Sequence, residues 1–307
     1  MMDWTDRHCR FFLRQVNSSV RLYTEMITTG ALIHGDVPRH LAFSEEEHPV
    51  ALQLGGSEPD ELAHCAKLGE HYGYDEINLN IGCPSERVQR GAFGACLMAE
   101  PRLVAQCVSA IRGRVKIPVT VKHRIGLDRT EDYGFLRDFV GTVAEAGCRT
   151  FIVHARNAVL KGLSPKENRE IPPLRYDYVY RLKGDFPHLE IVINGGITTL
   201  QEIALHLKTV DGVMLGRAAY HNPWLLADPD QARAEVVHRM NAYCQRQRDP
   251  SFSLRNVTRH MLGLYHGHPR ARLWRRMLSN PVLRDKSDPA VLLDALEAVE
   301  SRAMMAA

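Results

Sequence analysis

The strongest constraint on the fold is an alternation of short apolar runs with helical patterns. The runs are rich in β-branched residues, and each ends in a glycine, an asparagine, a cysteine or a charged residue. They cover residues 21–27, 50–54, 76–81, 119–125, 150–154, 191–194 and 212–215. Strands that alternate with helices form parallel sheets, and strands with two apolar faces are covered on both sides. The pattern therefore predicts an α/β fold with a buried parallel sheet.

Two architectures fit this alternation, a TIM (β/α)8 barrel and a doubly wound sheet. The barrel is favoured because polar or glycine residues end nearly every strand, at the face where barrels carry their active sites. Seven strand–helix units are one fewer than a barrel needs, and the helical pattern from Asp6 to Val16 has no strand ahead of it. We expect a barrel that lacks its first strand at the N-terminus.

The pattern changes after Pro223, where no further strand is predicted. Helical patterns cover residues 229–246, 253–276 and 289–304, which indicates a small all-α domain. We therefore predict a catalytic barrel over residues 1–229 and a helical domain over residues 230–307. Residues 246–286 hold ten Lys or Arg against two Asp or Glu, which favours a polyanionic partner.

Composition narrows the class of protein. No apolar run approaches the roughly 18 residues of a membrane span, and the first residues lack the apolar segment of a signal peptide. The seven cysteines are scattered and include no Cys-x-x-Cys pair, which argues against a zinc site. We expect a cytoplasmic protein with no membrane contact and no metal.

Two glycine-containing strand ends suggest a phosphate site. Asn194-Gly195-Gly196 and Leu215-Gly216-Arg217 follow the last two predicted strands. In barrels the corresponding loops often bind phosphate, because glycine lets backbone N–H groups approach the oxygens and arginine adds charge. The alternative is that both are only tight turns.

Other strand ends carry polar side chains. Gln53, Lys122 and His154 each lie at the carboxyl end of a predicted strand. Cys83 follows the run over residues 76–81 in the motif Gly82-Cys83-Pro84, so it is either a packing residue or a reactive thiol at the site. The long loop over residues 156–176 is basic and adds to the case for a polyanion.

These motifs together resemble the tRNA-dihydrouridine synthases, most closely the synthase A branch. The matching segments include Gln53-Leu54-Gly55-Gly56, Asn78 to Ser85, Val121-Lys122-His123-Arg124 and the loop from Lys161 to Arg169. The resemblance covers nearly the whole chain. The strand that precedes the Met2-Asp3-Trp4 motif in the family is absent from this sequence, and Asn157 and Val159 replace a basic and an aromatic residue.

The resemblance implies an FMN-binding barrel that reduces uridine to 5,6-dihydrouridine in the D-loop of tRNA, at positions 20 and 20a, with NADPH as reductant. Hydride from reduced FMN would reach C6, and Cys83 would protonate C5. The implied tRNA contacts are Asn80, Lys166 and Arg169. The implied FMN ligands are Met2, Asp3, Trp4, Gln53, Lys122, His154, Asn194, Gly195, Gly196, Gly216 and Arg217.

Two other functions remain open from the residues. One is an FMN-dependent barrel oxidoreductase acting on a free small molecule, similar to dihydroorotate dehydrogenases. The other is a non-catalytic RNA-binding protein built on a barrel. The basic helical segment and the basic loop favour the tRNA-modifying enzyme over the first of these.

Overall fold

The computed structural model describes residues 1–128, 132–247, 252–280 and 288–300. The chain divides into two compact units. The sheet unit comprises Tyr23–Phe43 and Pro49–Gly216. The helical unit comprises the described residues of Met1–Leu22, Ser44–His48 and Arg217–Ala307. The predicted functional division between residues 229 and 230 stays a prediction.

Seven strands form one sheet in sequence order, and β2 to β7 pair in parallel. The TIM-barrel type of α/β fold predicted from the sequence is thereby confirmed. The strands are β1 (Leu22–Thr28), β2 (Val50–Gly55), β3 (Glu76–Ile81), β4 (Val119–Arg124), β5 (Thr150–His154), β6 (Glu190–Asn194) and β7 (Gly212–Met214). Among the described residues, no strand precedes β1.

Helices follow the strands as the alternation predicts. They are α1 (Arg7–Val16), α2 (Thr29–His34), α3 (Val37–Leu41), α4 (Pro59–His71), α5 (Glu86–Arg90), α6 (Pro101–Arg112), α7 (Tyr133–Glu145), α8 (Tyr176–Asp185), α9 (Leu200–His206), α10 (Arg217–His221), α11 (Arg233–Arg246), α12 (Leu254–Met261), α13 (Ala271–Ser279) and α14 (Ala290–Glu300). Within the described ranges, no helix is long and apolar enough to cross a membrane.

The first residues of α9 and α4 are set by an N-cap side chain and by proline, respectively. At α9, Thr199 and Glu202 form a capping box, in which the Glu202 backbone N–H donates to Thr199 Oγ1 and Glu202 Oε2 accepts from the Thr199 N–H. At α4, the serine before Pro59 predicts Ser57 as the N-cap, but the N-cap residue is Glu58. Pro59 at the first helical position fixes that start without a side-chain cap.

Side chains alternate between the two faces of the sheet. Leu52, Leu79 and Val121 lie on the apolar face and are fully buried. On the other face, the register places Gln53 beside Asn78 and Asn78 beside Thr120. We call this second side the polar face. Since the side-chain period of a strand is two, adjacent residues of one strand belong to different layers.

The helical unit has an apolar core of its own. Phe12 of α1, Trp274 of α13 and Tyr265 are almost completely buried, and Trp274 Nε1 donates to the Met261 carbonyl over 2.8 Å. The helix expected over residues 253–276 is instead two helices, α12 and α13. The segment between them includes Gly263, where a Cβ would lie 2.5 Å from the His221 carbonyl oxygen, so close backbone approach excludes a side chain there.

The last predicted helix, over residues 289–304, corresponds to α14 as far as Glu300. Residues 301–304 lie outside the described part of the chain. The predicted basic segment 246–286 is also described only in part, because residues 248–251 and 281–287 fall outside it.

A buried ion pair joins two chain segments of the helical unit. Arg10 Nε lies 2.6 Å from Glu47 Oε2, and the two side chains are 6% and 0% exposed. Burial raises the pKa of Glu47, whereas Arg10 and the Ser44 N–H act in the opposite direction. The carboxylate therefore depends on its partner to stay ionised.

We predict that Arg10→Met lowers the free energy of unfolding by about 3 kcal/mol or more, because it leaves a buried carboxylate unpaired. The double variant Arg10→Met/Glu47→Met should recover most of that loss. Urea denaturation monitored by circular dichroism measures both. A single variant as stable as the parent would contradict this account of the pair.

Candidate active site at the carboxyl ends of the strands

The sheet register gathers the predicted site residues of the sheet unit along one edge. Asn80 of β3 pairs with Lys122 of β4. Further along, Arg124 of β4 pairs with His154 of β5, and His154 pairs with Asn194 of β6. The side chains of paired residues in a parallel sheet emerge on the same face. The polar face is therefore continuous across β3 to β6 at its carboxyl edge.

Cys83 follows β3 directly and is partly exposed. The backbone N–H groups of Gly82 and Cys83 both donate to Asn80 Oδ1, each over 3.1 Å. The Cys83 carbonyl accepts from the Ala95 N–H over 2.9 Å. Gly94 has a φ of 76°, and a Cβ there would lie 2.7 Å from the Cys83 carbonyl oxygen. The loop that carries the thiol is therefore fixed by close contacts on both sides.

Arg124 is a structural element of the site to which sequence reasoning gave no role of its own. It is 5% exposed, and its Nε donates to the Gly82 carbonyl over 3.1 Å. Its Nη1 donates to the carbonyls of Asn157 and Asn168 over 3.3 and 2.9 Å. One guanidinium thus joins the Cys83 loop to the basic loop after β5. The sequence carried one signal for this role of Arg124. Arg124 lies two residues after Lys122 in the same strand, so both side chains emerge on the polar face.

His123 lies on the opposite side of the strand. It is completely buried, with its ring 5.1 Å from that of Phe139 and 5.8 Å from that of Phe151. Burial lowers its pKa to about 4, with the Arg124 carbonyl contact opposing. His123 is therefore a residue of the helix-facing core, although its sequence neighbours Lys122 and Arg124 lie on the polar face.

Positive charge dominates the electrostatics of the edge. Burial, together with the nearby charge of Arg124, lowers the pKa of Lys122 to about 8, while Cys83 acts in the opposite direction. Burial also lowers the pKa of His154 well below its ordinary value, reinforced by Arg124, Lys122, Arg156 and Arg169. His154 is consequently a neutral imidazole surrounded by cations at neutral pH.

The loop after β5 is organised around one buried asparagine. Asn168 Nδ2 donates to the Val159 carbonyl over 2.9 Å, and Asn168 Oδ1 accepts from the Val159 N–H over 2.7 Å. Its neighbours Lys166 and Arg169 are exposed. The structure therefore presents the two predicted tRNA contacts on the surface of a loop with an internally bonded core.

The turn after β6 requires glycine at two positions, because the backbone has positive φ values there and a Cβ would clash with neighbouring side chains. Gly195 and Gly196 have φ values of 113° and 74°. A Cβ on Gly195 would lie 2.9 Å from His154 Cδ2, and one on Gly196 would lie 2.6 Å from Leu174 Cδ1. Tyr176 Oη donates to the Gly195 carbonyl over 2.6 Å. The turn is therefore locked against β5 and the start of α8.

The remaining predicted cofactor ligands are divided between the two units. Gly216 follows β7 at the end of the sheet unit, whereas Arg217 begins α10 in the helical unit. Met2, Asp3 and Trp4 also belong to the helical unit, where Trp4 stacks on Tyr220 at 4.3 Å between ring centroids. Their contribution to a cofactor site stays a prediction.

Comparison with known proteins identifies the family. A family model described as Dihydrouridine synthase (Dus) matches residues 1–301. The chain belongs to the dihydrouridine synthase family. A protein from Pseudomonas putida named tRNA-dihydrouridine(20/20a) synthase is 56% identical over 312 residues, which is 98% of this chain and 93% of the relative. Proteins of the same name from Pseudomonas aeruginosa and Vibrio cholerae are 57% and 58% identical, covering 98% and 91% of this chain and 94% and 88% of their own lengths.

The residues of this dihydrouridine synthase fit an FMN group at the polar edge. Among the described residues, His154 Nδ1 is a buried ring nitrogen without a hydrogen-bond partner. A ring nitrogen that can donate a hydrogen bond, beside a cationic cluster, suits a phosphate-bearing ligand. For a metal ion, no group of three His, Cys, Asp or Glu among the described residues is suitably arranged.

We predict that Lys122 of this synthase reacts with amine-directed reagents at pH 8 more readily than the exposed lysines do. With its pKa lowered to about 8, roughly half of its amines are neutral there, whereas an ordinary lysine has a pKa near 10.4. Labelling with an isotopic anhydride, read by mass spectrometry against exposed Lys166, measures the difference. The Lys122 labelling rate should rise with a midpoint near pH 8, and a rate still climbing steeply at pH 10 would refute the assignment.

Proposed function

We propose that the chain reduces uridine to 5,6-dihydrouridine in tRNA, at positions 20 and 20a, as a cytoplasmic FMN enzyme with NADPH as reductant. The observation that carries the proposal is the juxtaposition of Cys83 and Lys122 at the polar edge of a sheet in the dihydrouridine synthase family. The names of relatives that are more than half identical support tRNA and the two positions.

FMN is assigned to the carboxyl edge of the sheet unit. Gln53 and Lys122 would hold its ring, while Asn194, Gly195, Gly196, Gly216 and Arg217 would hold its phosphate. Held there by these residues, FMN would supply the hydride chemistry for reduction of the uracil ring at C6. No dinucleotide fingerprint of the Gly-x-Gly-x-x-Gly type is present in the sequence, which agrees with an NADPH that visits the site and leaves.

Cys83 supplies the proton. Reduction of the C5=C6 bond leaves negative charge that is shared between C5 and the C4 carbonyl oxygen, and a proton must then reach C5. A cysteine thiol is mostly protonated near neutral pH and can release that proton during the reaction. Lys122 and Arg124 place positive charge near Cys83, where negative charge remains after the transfer. Solvent then restores the thiol.

Lys166, Arg169 and Asn80 are assigned to the RNA. The exposed Lys166 and Arg169 can contact phosphates, and a uridine in a loop leaves its stack at a cost of only a few kcal/mol. A free small molecule would need no such basic loop. A non-catalytic RNA-binding protein would purify without colour, whereas a flavoprotein is yellow. The visible spectrum therefore separates the proposed enzyme from a non-catalytic RNA-binding protein.

We predict that Cys83→Ala retains FMN and its reduction by NADPH but loses dihydrouridine formation by at least about 100-fold, the range expected for loss of a general acid. Stopped-flow absorbance measures flavin reduction by NADPH and reoxidation by tRNA separately. Cys96→Ala, which removes a partly exposed thiol from the same loop, serves as control. Unchanged reoxidation by tRNA in Cys83→Ala would exclude the proton-donor role.

We predict that Lys166→Ala/Arg169→Ala raises the KM for tRNA at least about tenfold and flattens its dependence on salt, because two phosphate contacts are removed. The rate of flavin reduction by NADPH should stay the same. Arg102→Ala/Lys208→Ala, which removes one exposed arginine and one exposed lysine elsewhere in the sheet unit, serves as the charge-matched control. Equal effects of both double variants would show that only net charge matters.

A further inference from the structure

A continuous chain of hydrogen bonds links a buried carboxylate to the backbone of Cys83. Asn80 Nδ2 donates to Gln53 Oε1, and Gln53 Nε2 donates to Asn78 Oδ1, both over 2.8 Å. Asn78 Nδ2 donates to Thr120 Oγ1 over 2.8 Å, and Thr120 Oγ1 donates to Glu76 Oε1 over 2.6 Å. We call these five side chains the relay. Glu76 and Asn78 are fully buried, and Thr120 is 1% exposed.

The direction of the relay follows from its Cys83 end. The backbone N–H groups of Gly82 and Cys83 can only donate, so the Asn80 atom that faces them must be the oxygen. The amide nitrogen of Asn80 then meets the oxygen of Gln53. Its nitrogen in turn must meet the oxygen of Asn78. Each amide is thus oriented by the one before it.

The same direction continues to the other end of the relay. The oxygen of Asn78 accepts from Gln53, so its nitrogen faces Thr120 Oγ1, which accepts. The Thr120 hydroxyl hydrogen is then left to donate to Glu76 Oε1. The Cys83 end thus selects a single arrangement of three amides, and Glu76 supplies the acceptor that completes it. A buried network in which all members agree is stiff, because reversing one amide leaves two like groups in contact.

This polarity determines what the relay offers to a ligand. Gln53 and Asn80 each use one amide hydrogen within the relay, so each keeps one further N–H for donation. Their oxygens already accept from the relay or the Cys83 loop. The remaining hydrogens suit carbonyl oxygens or ring nitrogens, which are the polar groups of a flavin ring and of uracil. The assignment of these hydrogens to a flavin ring or to uracil rests on the proposed function.

We propose that Glu76 and Thr120 are positioning residues for the reaction. Neither carries a role assigned from the sequence, and both act through Asn78. Glu76 accepts the last hydrogen of the relay through Thr120, Asn80 fixes the backbone of Cys83, and the thiol is thereby held in one place. Removing the Thr120 hydroxyl leaves the Asn78 nitrogen without its acceptor. Reversed amide orientations then compete with the one that holds the Cys83 loop.

The test uses Thr120→Val, which keeps the shape of the side chain and removes the hydroxyl. Thr120→Ser keeps the hydroxyl and should restore every readout. Thr150→Val is the matched control, because Thr150 lies beside Thr120 in the register and donates to Glu190 Oε2 over 2.7 Å, outside the relay. Circular dichroism checks that each variant folds.

The first readout is independent of cofactor and turnover. In apo-protein, hydrogen exchange of the Gly82 and Cys83 amides should be about fivefold faster in Thr120→Val than in the parent, the scale set by one buried hydrogen bond. Alkylation of Cys83 by iodoacetamide should change its rate and pH profile in Thr120→Val alone. Unchanged exchange and alkylation in a folded Thr120→Val would overturn the proposal.

The second readout joins the relay to the reaction. Reoxidation of the reduced holoenzyme by tRNA should slow about fivefold or more in Thr120→Val, with KM for tRNA unchanged. If Thr120→Val does not fold, Glu76→Gln replaces it, since an amide can donate as well as accept and no longer requires the Thr120 hydroxyl to donate. Equal exchange rates in Glu76→Gln and the parent would then refute the proposal. A parent protein that forms no dihydrouridine would refute the proposed function but leave the exchange result decisive for the relay.

Discussion

The polar face of the sheet holds groups that water does not reach, and each must find a partner within the protein. Thr120, Asn78 and Glu76 are almost completely buried there. An unpaired polar group in such a place costs about 1–3 kcal/mol, so each of these side chains needs a hydrogen-bond partner. The parallel register provides those partners, because it places Gln53, Asn78 and Thr120 side by side. The position of Cys83 depends on that register through Asn80.

Much of the fold could be predicted from the sequence, because strands of a covered parallel sheet are locally apolar and end in recognisable residues. The seven predicted strands match β1 to β7 within about two residues at each end, a normal uncertainty for such boundaries. The prediction of one helix over residues 253–276 is wrong, because the chain is not helical between α12 and α13. In that segment the backbone at Gly263 lies close to the backbone of His221. Such a contact has no local signature.

The site was predictable where one residue type suffices and not where partners are distant in sequence. Cys83, Lys122 and the Gly195-Gly196 turn each stand out at a strand end. Arg124 acts through backbone carbonyls of two other loops, and Asn168 through backbone groups of its own loop. Any sequence can supply such backbone partners. His123 is buried against Phe139 and Phe151. Its face of the sheet could be assigned only once the register of the strand was known.

The composition of the helical unit bears on how the protein is made. Helix α1 contacts α11 and α12, with Phe11 stacked on Tyr243 at 4.0 Å and His8 Nδ1 within 2.7 Å of Tyr243 Oη. More than 200 residues of chain separate these partners. During synthesis on the ribosome, the apolar side of α1 therefore emerges early and has no core until α11 follows. Helix α1 is thus translated well before the helices that bury it, which makes it a binding segment for chaperones in the nascent chain.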